Sequence, residues 1–80
     1  MSIFVLHDLH DLPRLAPSAP AAQVIVCGHS HRPQVLRQPS GVLLVNPGSA
    51  GPRRFKLPVS AAQLLIRSAV DFEANWVPLL

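Results

Sequence analysis

The sequence has little of several features that stabilise or direct a small protein. A single cysteine among 80 residues excludes an internal disulfide and a zinc site made of four cysteines. Charged residues make up only 14% of the chain and hydrophobic residues 49%, which excludes a disordered chain because there is enough apolar surface to bury. Nine prolines exclude a helical bundle or coiled coil, since a proline inside a helix removes a hydrogen bond and clashes with the preceding turn.

Long apolar runs are also absent. No stretch reaches the roughly 18–20 uninterrupted apolar residues needed to span a bilayer. The apolar segment before His7 is too short for the core of a signal peptide. We therefore expect a cytoplasmic protein with no membrane partner.

Seven basic residues outnumber four acidic ones, but they cluster only at 53–56. We therefore expect no nucleic-acid partner, because binding to nucleic acid usually needs a larger basic surface.

The length leaves little room for a self-sufficient core. A chain of 80 residues buries only about 60–65% of its unfolded surface, so its stability is marginal. We expect tight packing, a bound metal, an oligomer or a further polypeptide segment to make up the difference. No internal repeat or linker divides the chain, and we therefore expect one partial domain over residues 1–80.

Apolar periodicity predicts a strand-rich α/β (α+β) fold with one short helix. The helix follows His7, with Asp11 as its N-cap and Pro13 in its first turn. A turn over 38–41, with Gly41 in its last position, joins two of the strands into a hairpin. We expect the strands after the helix to be antiparallel, because their connections are too short for crossovers. The predicted strands are 2–6, 23–27, 34–37, 42–45, 62–67 and 72–77.

The richest stretch for chemistry is Gly28-His29-Ser30-His31-Arg32-Pro33, directly after the strand 23–27. On an extended backbone, residues two apart point to the same side, with their Cα atoms roughly 6.5–7 Å apart. His29 and His31 are then placed to ligate one each of two metal ions about 3.5–4 Å apart, the separation used in phosphoester chemistry. Two other interpretations stay open: ordinary loop histidines, or a structural zinc site that Cys27 joins.

A second motif, Asn46-Pro47-Gly48-Ser49, comes after the hairpin and leads to Arg53. Asn46 precedes a proline and is therefore expected to be extended, and Pro47-Gly48 is typical of a tight turn. The amide and hydroxyl of Ser49 are candidate donors to an oxyanion, and Arg53 offers a positive fork for phosphate. The alternative is a purely structural turn with a solvated basic end.

Together, the two motifs resemble the C-terminal part of the calcineurin-like metallophosphoesterase superfamily, in particular its small bacterial and archaeal phosphodiesterases. In that family a strand leads into Gly-His-(Thr/Ser)-His-x-Pro, and Asn-Pro-Gly-Ser follows after one hairpin. The resemblance extends from about Ile3 to Val77. It implies the C-terminal half of an αββα sandwich and, in a complete domain, metal-dependent hydrolysis of a phosphodiester or phosphomonoester.

The resemblance also implies roles for single residues. His29 matches the family's ligand to the second metal ion, and His31 matches its ligand to the first. His7, at the end of the first predicted strand, matches a His-Gly motif that supplies another ligand to the second ion. Asp8 stands where the family has glycine, and an aspartate there is suited to fixing an imidazole tautomer from outside the ligand shell. The residues that would shape the substrate pocket are Asn46, Gly48, Ser49 and Arg53.

A competing alignment sets Asp8-Leu9-His10 against the Asp-x-His that opens full-length members of the family. That opening motif lies far upstream of the family's Gly-His-x-His, with most of the domain between them. Here His29 follows His10 closely, which leaves no room for the intervening layers. We therefore favour the alignment through His7, and His10 becomes a surface histidine of the short helix.

The chain is poor in the carboxylates that hold two metal ions together. The family supplies them from Asp-x-His, Gly-Asp and Gly-Asn motifs, and this sequence has four acidic residues and neither Gly-Asp nor Gly-Asn. We therefore expect no catalytic residue here and metal binding at most by the chain alone. An N-terminal half or a second copy is the expected partner, and Mn, Ni, Zn or Fe are the candidate divalent ions. Two alternatives stay open: a small zinc-stabilised or oligomeric binding module, and an inactive remnant of a truncated reading frame.

Overall fold

The computed structural model describes residues 1–15, 21–51 and 57–79. In these residues the chain forms six β-strands, one 3₁₀ turn and one short α-helix, which confirms the predicted strand-rich α/β architecture. The 3₁₀ turn covers Leu9–Asp11 and is followed directly by α1 (Leu12–Leu15). The strands are β1 (Ile3–Val5), β2 (Val24–Val26), β3 (Gln34–Arg37), β4 (Leu43–Asn46), β5 (Ser60–Ser68) and β6 (Asp71–Pro78).

Strands β1 to β4 form one sheet in the order β1-β2-β4-β3, and β5 pairs with β6 in a separate antiparallel hairpin. In the sheet, β1, β2 and β4 are parallel, and β3 is antiparallel to β4. The expectation of antiparallel strands after the helix is therefore wrong for β2 and β4, where Val24 lies opposite Leu43 in a parallel pair. The reason is that β3 occupies the outer edge and reverses the chain, so that β4 runs in the direction of β2.

The turn between β3 and β4 has the predicted form. The Gly41 amide donates to the Gln38 carbonyl at 2.8 Å, which closes a four-residue turn over 38–41. Gly41 has a φ of 92°, a left-handed conformation that glycine adopts without steric cost. This local chemistry holds β3 against β4.

The β5–β6 hairpin covers one face of the sheet. Phe72 of β6 packs there in a buried apolar cluster with Val24, Leu43 and Val45. Arg37 connects the two layers, because its guanidinium donates to the backbone carbonyl of Phe72 and lies 4.6 Å from the centre of the Phe72 ring. The hairpin is therefore a second layer and not an extension of the sheet.

The 3₁₀ turn and α1 cover the opposite face, where a second apolar cluster contains Leu6, Cys27 and Leu44. Asp8 caps this helical segment: its backbone is extended, with φ −118° and ψ 119°, and its Oδ1 accepts a hydrogen bond from the His10 amide at 3.1 Å. The predicted cap at Asp11 is wrong because the segment begins with a 3₁₀ turn, before the α-helical residues.

Candidate metal centre

The carboxyl ends of three parallel strands meet at one edge of the sheet, where ligands commonly bind in such sheets. His7 follows β1, His29 follows β2, and Asn46 is the last residue of β4. The Gly28 amide donates to the His7 carbonyl at 3.0 Å, beyond the last paired residues of the two strands. The loops that carry the two histidines are therefore held side by side by the backbone.

His7 and His29 face each other directly. The Nε2 atom of His7 lies 3.0 Å from the Nδ1 atom of His29, and the two rings meet edge to face with centroids 4.9 Å apart. These residues are 22 positions apart in the sequence, and the structure brings together two of the three predicted metal ligands. One imidazole donates to the other when the tautomers allow it. Alternatively, two neutral rings present two lone pairs to one cation.

The backbone at His29 and His31 differs from the expected extended form. Their φ angles are 66° and 61°, in the left-handed region that residues with a Cβ atom seldom adopt. The Ser30 amide donates to the Gly28 carbonyl at 2.7 Å, so the loop turns tightly around His29. The expectation that both imidazoles project from one extended strand is therefore wrong, and the loop holds backbone strain of the kind that concentrates at functional sites.

His31 is not part of the ring contact between His7 and His29. Its Nδ1 atom is buried and, within the part of the chain that the structure describes, has no hydrogen-bond partner. A buried ring nitrogen without a partner is costly, and a bound ion or ligand would remove that cost. Over residues 1–15, 21–51 and 57–79, no group of three or more His, Cys, Asp or Glu side chains is arranged to hold a metal ion.

Asp8 lies beside His29 and is ionised at neutral pH. The backbone N–H of His10 is the main cause that holds the pKa of this carboxyl below its usual range, and the His10 side chain and the His29 charge add to that effect. The carboxylate Oδ2 atom lies 3.8 Å from His29 Nε2, on the side of the ring away from His7. Asp8 is therefore placed to orient His29 electrostatically while His29 Nδ1 faces His7.

Asn46 ties the two loops of the site together. Its side-chain amide donates to the Gly28 carbonyl at 3.2 Å and to the Ser30 hydroxyl at 3.1 Å. Its carbonyl oxygen accepts from the Gly48 amide at 3.0 Å. The residue is only 4% exposed, so these bonds satisfy a buried side chain and connect the histidine loop to the following turn. The structure thus gives Asn46 a positioning role.

The predicted turn over Pro47 and Gly48 is tightly packed. Gly48 has a φ of 80°, and a Cβ atom there would lie 2.3 Å from the Ser60 hydroxyl, so a side chain would displace that hydroxyl or the turn. The Ser60 hydroxyl donates to the Pro47 carbonyl, and the Ser49 hydroxyl accepts from the Gly51 amide. The Ser49 hydroxyl is thus used within the turn, while Arg53 lies outside the described residues.

A cavity of about 180 Å³ opens at this edge of the sheet. Cys27 is buried in its wall, and burial, followed by the charge of Asp8, raises the pKa of the thiol. The structural zinc site of Cys27, His29 and His31 considered from the sequence is absent as a formed three-ligand cluster from the described residues. The residues around the cavity are Asp8, Leu9, His10, Cys27, Gly28, His29, Ser30, Gln34 and Asn46.

Gln34 lines the cavity, as do Leu9 and His10, although none of the three was a predicted site residue. Gln34 is the first residue of β3, and a glutamine in an exposed strand carries no signal of function in the sequence. The only available indication is its place one residue after Pro33, at the end of the histidine motif. His10, by contrast, is a surface histidine as predicted, since 95% of its side chain is exposed.

Comparison with known proteins gives a family match over most of the chain. A family model described as the calcineurin-like phosphoesterase superfamily domain matches residues 1–69. The match covers the four-stranded sheet, both loops of the site and all of β5. Searches of curated proteins and of solved structures find no match. Among the described residues, no helix has the length and apolar character needed to cross a membrane.

Proposed function

The chain belongs to the calcineurin-like phosphoesterase superfamily, and on that premise we propose that it provides the histidine part of a metal-dependent phosphoesterase site. The observation that carries the proposal is the 3.0 Å contact between His7 Nε2 and His29 Nδ1. The family is generally metal-dependent. The proposed reaction is hydrolysis of a phosphodiester or phosphomonoester by the complete domain.

The donor atoms at this edge fit a divalent transition metal. Imidazole nitrogens bind zinc at about 2.0–2.1 Å, which places two tetrahedral ligands about 3.3–3.4 Å apart. The two nitrogens here are 3.0 Å apart, so a small outward shift would let them bind one such ion. His31 offers a third nitrogen, buried and without a partner in the described part of the chain. Asp8 next to the far nitrogen of His29 resembles the carboxylate–histidine pairs that orient metal ligands.

We assign the remaining metal ligands to another polypeptide segment. Asp8 is the single carboxylate around the histidine cavity among the described residues, and it already bonds to His10. Two divalent ions close together need bridging carboxylates, and when bound they supply an activated water and neutralise charge on phosphate. An N-terminal half of the domain, or a second copy of the chain, would provide those groups. The candidate metals remain Mn, Ni, Zn and Fe.

The chain's own residues would shape the site and hold the substrate. Asn46 fixes the histidine loop relative to the turn at Gly48, because it bonds to both. Ser49 and Arg53 stay predicted contacts to the phosphate group, as does the positioning of that group by Asn46 and Gly48. A cytoplasmic location also stays a prediction.

Zinc uptake by the whole chain tests this proposal. We expect calorimetry to show binding that the double substitution His29→Ala and His31→Ala abolishes, since it removes two donors. Gln63→Ala, an exposed change on the hairpin, serves as the control and should leave uptake unchanged. Unchanged uptake in the double variant would show that the histidines are not ligands.

A second substitution separates the two alignments of the N-terminal histidines. His7→Ala should weaken zinc uptake at least tenfold if His7 is a ligand, because one metal–nitrogen bond is lost. His10→Ala should have a much smaller effect, since His10 is 95% exposed and bonds to Asp8 rather than facing His29. The reverse order of effects would favour the alignment through His10.

Turnover tests the assignment of the missing ligands. The chain alone should release no nitrophenol from bis-p-nitrophenyl phosphate with manganese or nickel present. Adding a separate segment with the family's Asp-x-His and Gly-Asp motifs should restore release. Turnover by the chain alone would contradict the division of the site between segments.

An oligomeric binding module is the second candidate function, favoured by the edge strand β1. Ile3 and Val5 are 42% and 69% exposed, although both are large apolar residues on a strand with one unpaired edge in the described structure. Sedimentation in the presence and absence of zinc distinguishes the candidates. A stable metal-independent oligomer whose stability does not change with the histidine substitutions would favour the binding module.

A further inference from the structure

An apolar cavity of about 330 Å³ lies beside the histidine cavity, between the start of β3 and the end of β6. Trp76 forms part of its wall and is 46% exposed, which is a large apolar ring left open to ligand. Among the described residues, those that line the cavity are uncharged, and most of them are apolar. The lining residues are Pro33, Gln34, Val35, Pro58 and Trp76.

The apolar cavity and the histidine cavity share one wall residue. Gln34 lines both cavities. Pro33, in the wall of the apolar cavity, comes two residues after His31, and its ring atoms lie 3.5 Å from the position that a Cβ of Gly48 would occupy. A molecule whose phosphate sits at the histidines can therefore extend past Gln34 towards Trp76.

The size and chemistry of the cavity indicate what that extension is. A cavity of about 150 Å³ lined by carbon atoms already binds benzene in another protein, and ligand pockets start at about 300 Å³. The volume of about 330 Å³ here therefore suits one flat ring system. Trp76 and two prolines offer flat surfaces for stacking, and the Gln34 amide marks the polar end.

We propose that this cavity binds a planar aromatic group of the phosphoester substrate, with Trp76 as the residue that determines specificity for it. The inference rests on the proposed phosphoesterase function, because it takes the histidine site as the place of the phosphate. It goes further by naming the substrate class: phosphoesters that carry an aromatic ring close to the phosphate.

Phenyl phosphate and inorganic phosphate are the probes that test this inference. With the zinc-loaded chain, calorimetry should show phenyl phosphate binding about tenfold more tightly, as expected for stacking on an aromatic side chain. Trp76 is the single tryptophan of the chain, so its fluorescence should change with phenyl phosphate and not with inorganic phosphate. Equal affinities, binding by neither ligand, or an unchanged fluorescence would overturn the inference.

Phenol tests whether the ring site and the phosphate site act together. Phenol should bind at least tenfold more weakly than phenyl phosphate, because it lacks the group held at the histidines. Phenol binding as tightly as phenyl phosphate would overturn the substrate assignment, since the cavity would then be separate from the histidine site.

Substitutions in the apolar cavity test whether its residues cause the preference for phenyl phosphate. Trp76→Ala should remove the tenfold preference and leave the affinity for inorganic phosphate unchanged, whereas Val77→Ala, next to it on the other face of β6, should keep the preference. Val35→Ala, with Leu36→Ala as its control on the opposite face of β3, gives a second test that does not depend on the folding of the Trp76 variant. A preference that survives both Trp76→Ala and Val35→Ala would overturn the inference.

The two proposals fail differently. Zinc uptake that is insensitive to His29→Ala and His31→Ala contradicts the phosphoesterase proposal. Zinc and inorganic phosphate binding that depends on the histidines, without a preference for phenyl phosphate, contradicts only the aromatic subsite.

Discussion

The face beneath the β5–β6 hairpin and the carboxyl edge of the sheet are held together in different ways. Under the hairpin, alternating side chains bury Phe72 against Val24, Leu43 and Val45 without unusual backbone angles. At the carboxyl edge, left-handed residues are held by side-chain hydrogen bonds, above all those of Asn46. Apolar packing therefore stabilises this chain, whereas the candidate site holds backbone strain that the packing must offset.

Removing the Phe72 ring under the hairpin should lower the stability of the chain more than any change at the carboxyl edge. Phe72→Ala should lower the free energy of unfolding by about 3–5 kcal/mol, because a buried aromatic ring is replaced by a cavity. In a small domain that loss is enough to unfold most of the chain, as urea titration followed by circular dichroism would show. Val70→Ala, in the hairpin turn and 92% exposed, should change the stability by about 0.5 kcal/mol or less. Similar losses in the two variants would show that the hairpin does not form the core.

Gly48 at the carboxyl edge and Gly41 in the β3–β4 turn both have a left-handed φ, but only Gly48 is crowded. Replacing each by alanine therefore distinguishes the cost of crowding from the cost of backbone strain. Gly48→Ala should cost about 2–3 kcal/mol, since its Cβ would meet the Ser60 hydroxyl at 2.3 Å in addition to the left-handed strain. Gly41→Ala has the same kind of strain but open space around it and should cost about 1 kcal/mol. Urea midpoints measure both. Equal losses would mean that the turn at Gly48 shifts to admit a side chain.

The strain at His29 is measurable by comparing two replacements of one residue. His29→Gly should be more stable than His29→Ala by about 1 kcal/mol, because glycine adopts a φ of 66° without a Cβ clash. Both should weaken zinc binding to the same degree, because both remove the His29 nitrogen. At Ser30, which lies outside the left-handed region, the glycine variant should be no more stable than the alanine variant. The same order at both positions would remove the argument for local strain.

The buried thiol of Cys27 gives the smallest expected effect. Its folded pKa is raised above the ordinary value of 9.0, so its contribution to stability is complete below that pH and is lost as pH rises through the folded pKa. At pH 8 the folded chain should react with iodoacetamide about tenfold more slowly than the chain in urea. Stability should fall slightly above pH 9, and Cys27→Ala should flatten that fall. Equally fast alkylation of folded and unfolded chain would contradict the burial of the thiol.

Much of the fold was predictable because its signals are local. Alternating and β-branched residues predict the strands, and Gly41 after Pro39 and Ser40 predicts the turn that closes the β3–β4 hairpin. The parallel pairing of β2 with β4 was not predictable in this way, because it depends on β3 taking the outer edge. The cap at Asp8 was missed for a similar reason, since a 3₁₀ turn has too few residues for a periodic pattern.

The candidate site, too, was predictable from the sequence only in part. The amino-acid sequence alone determined which residues are predicted to carry the chemistry: the histidine motif, the turn after Asn46, and His7 through its resemblance to the family. Only the tertiary structure decided that His7 meets His29, that Asn46 bonds to both loops, and that Gln34 joins two cavities. The physical reason is that residue types and their spacing determine only local structure and the chemistry available at each position. Contacts between loops depend on how parallel strands align their ends.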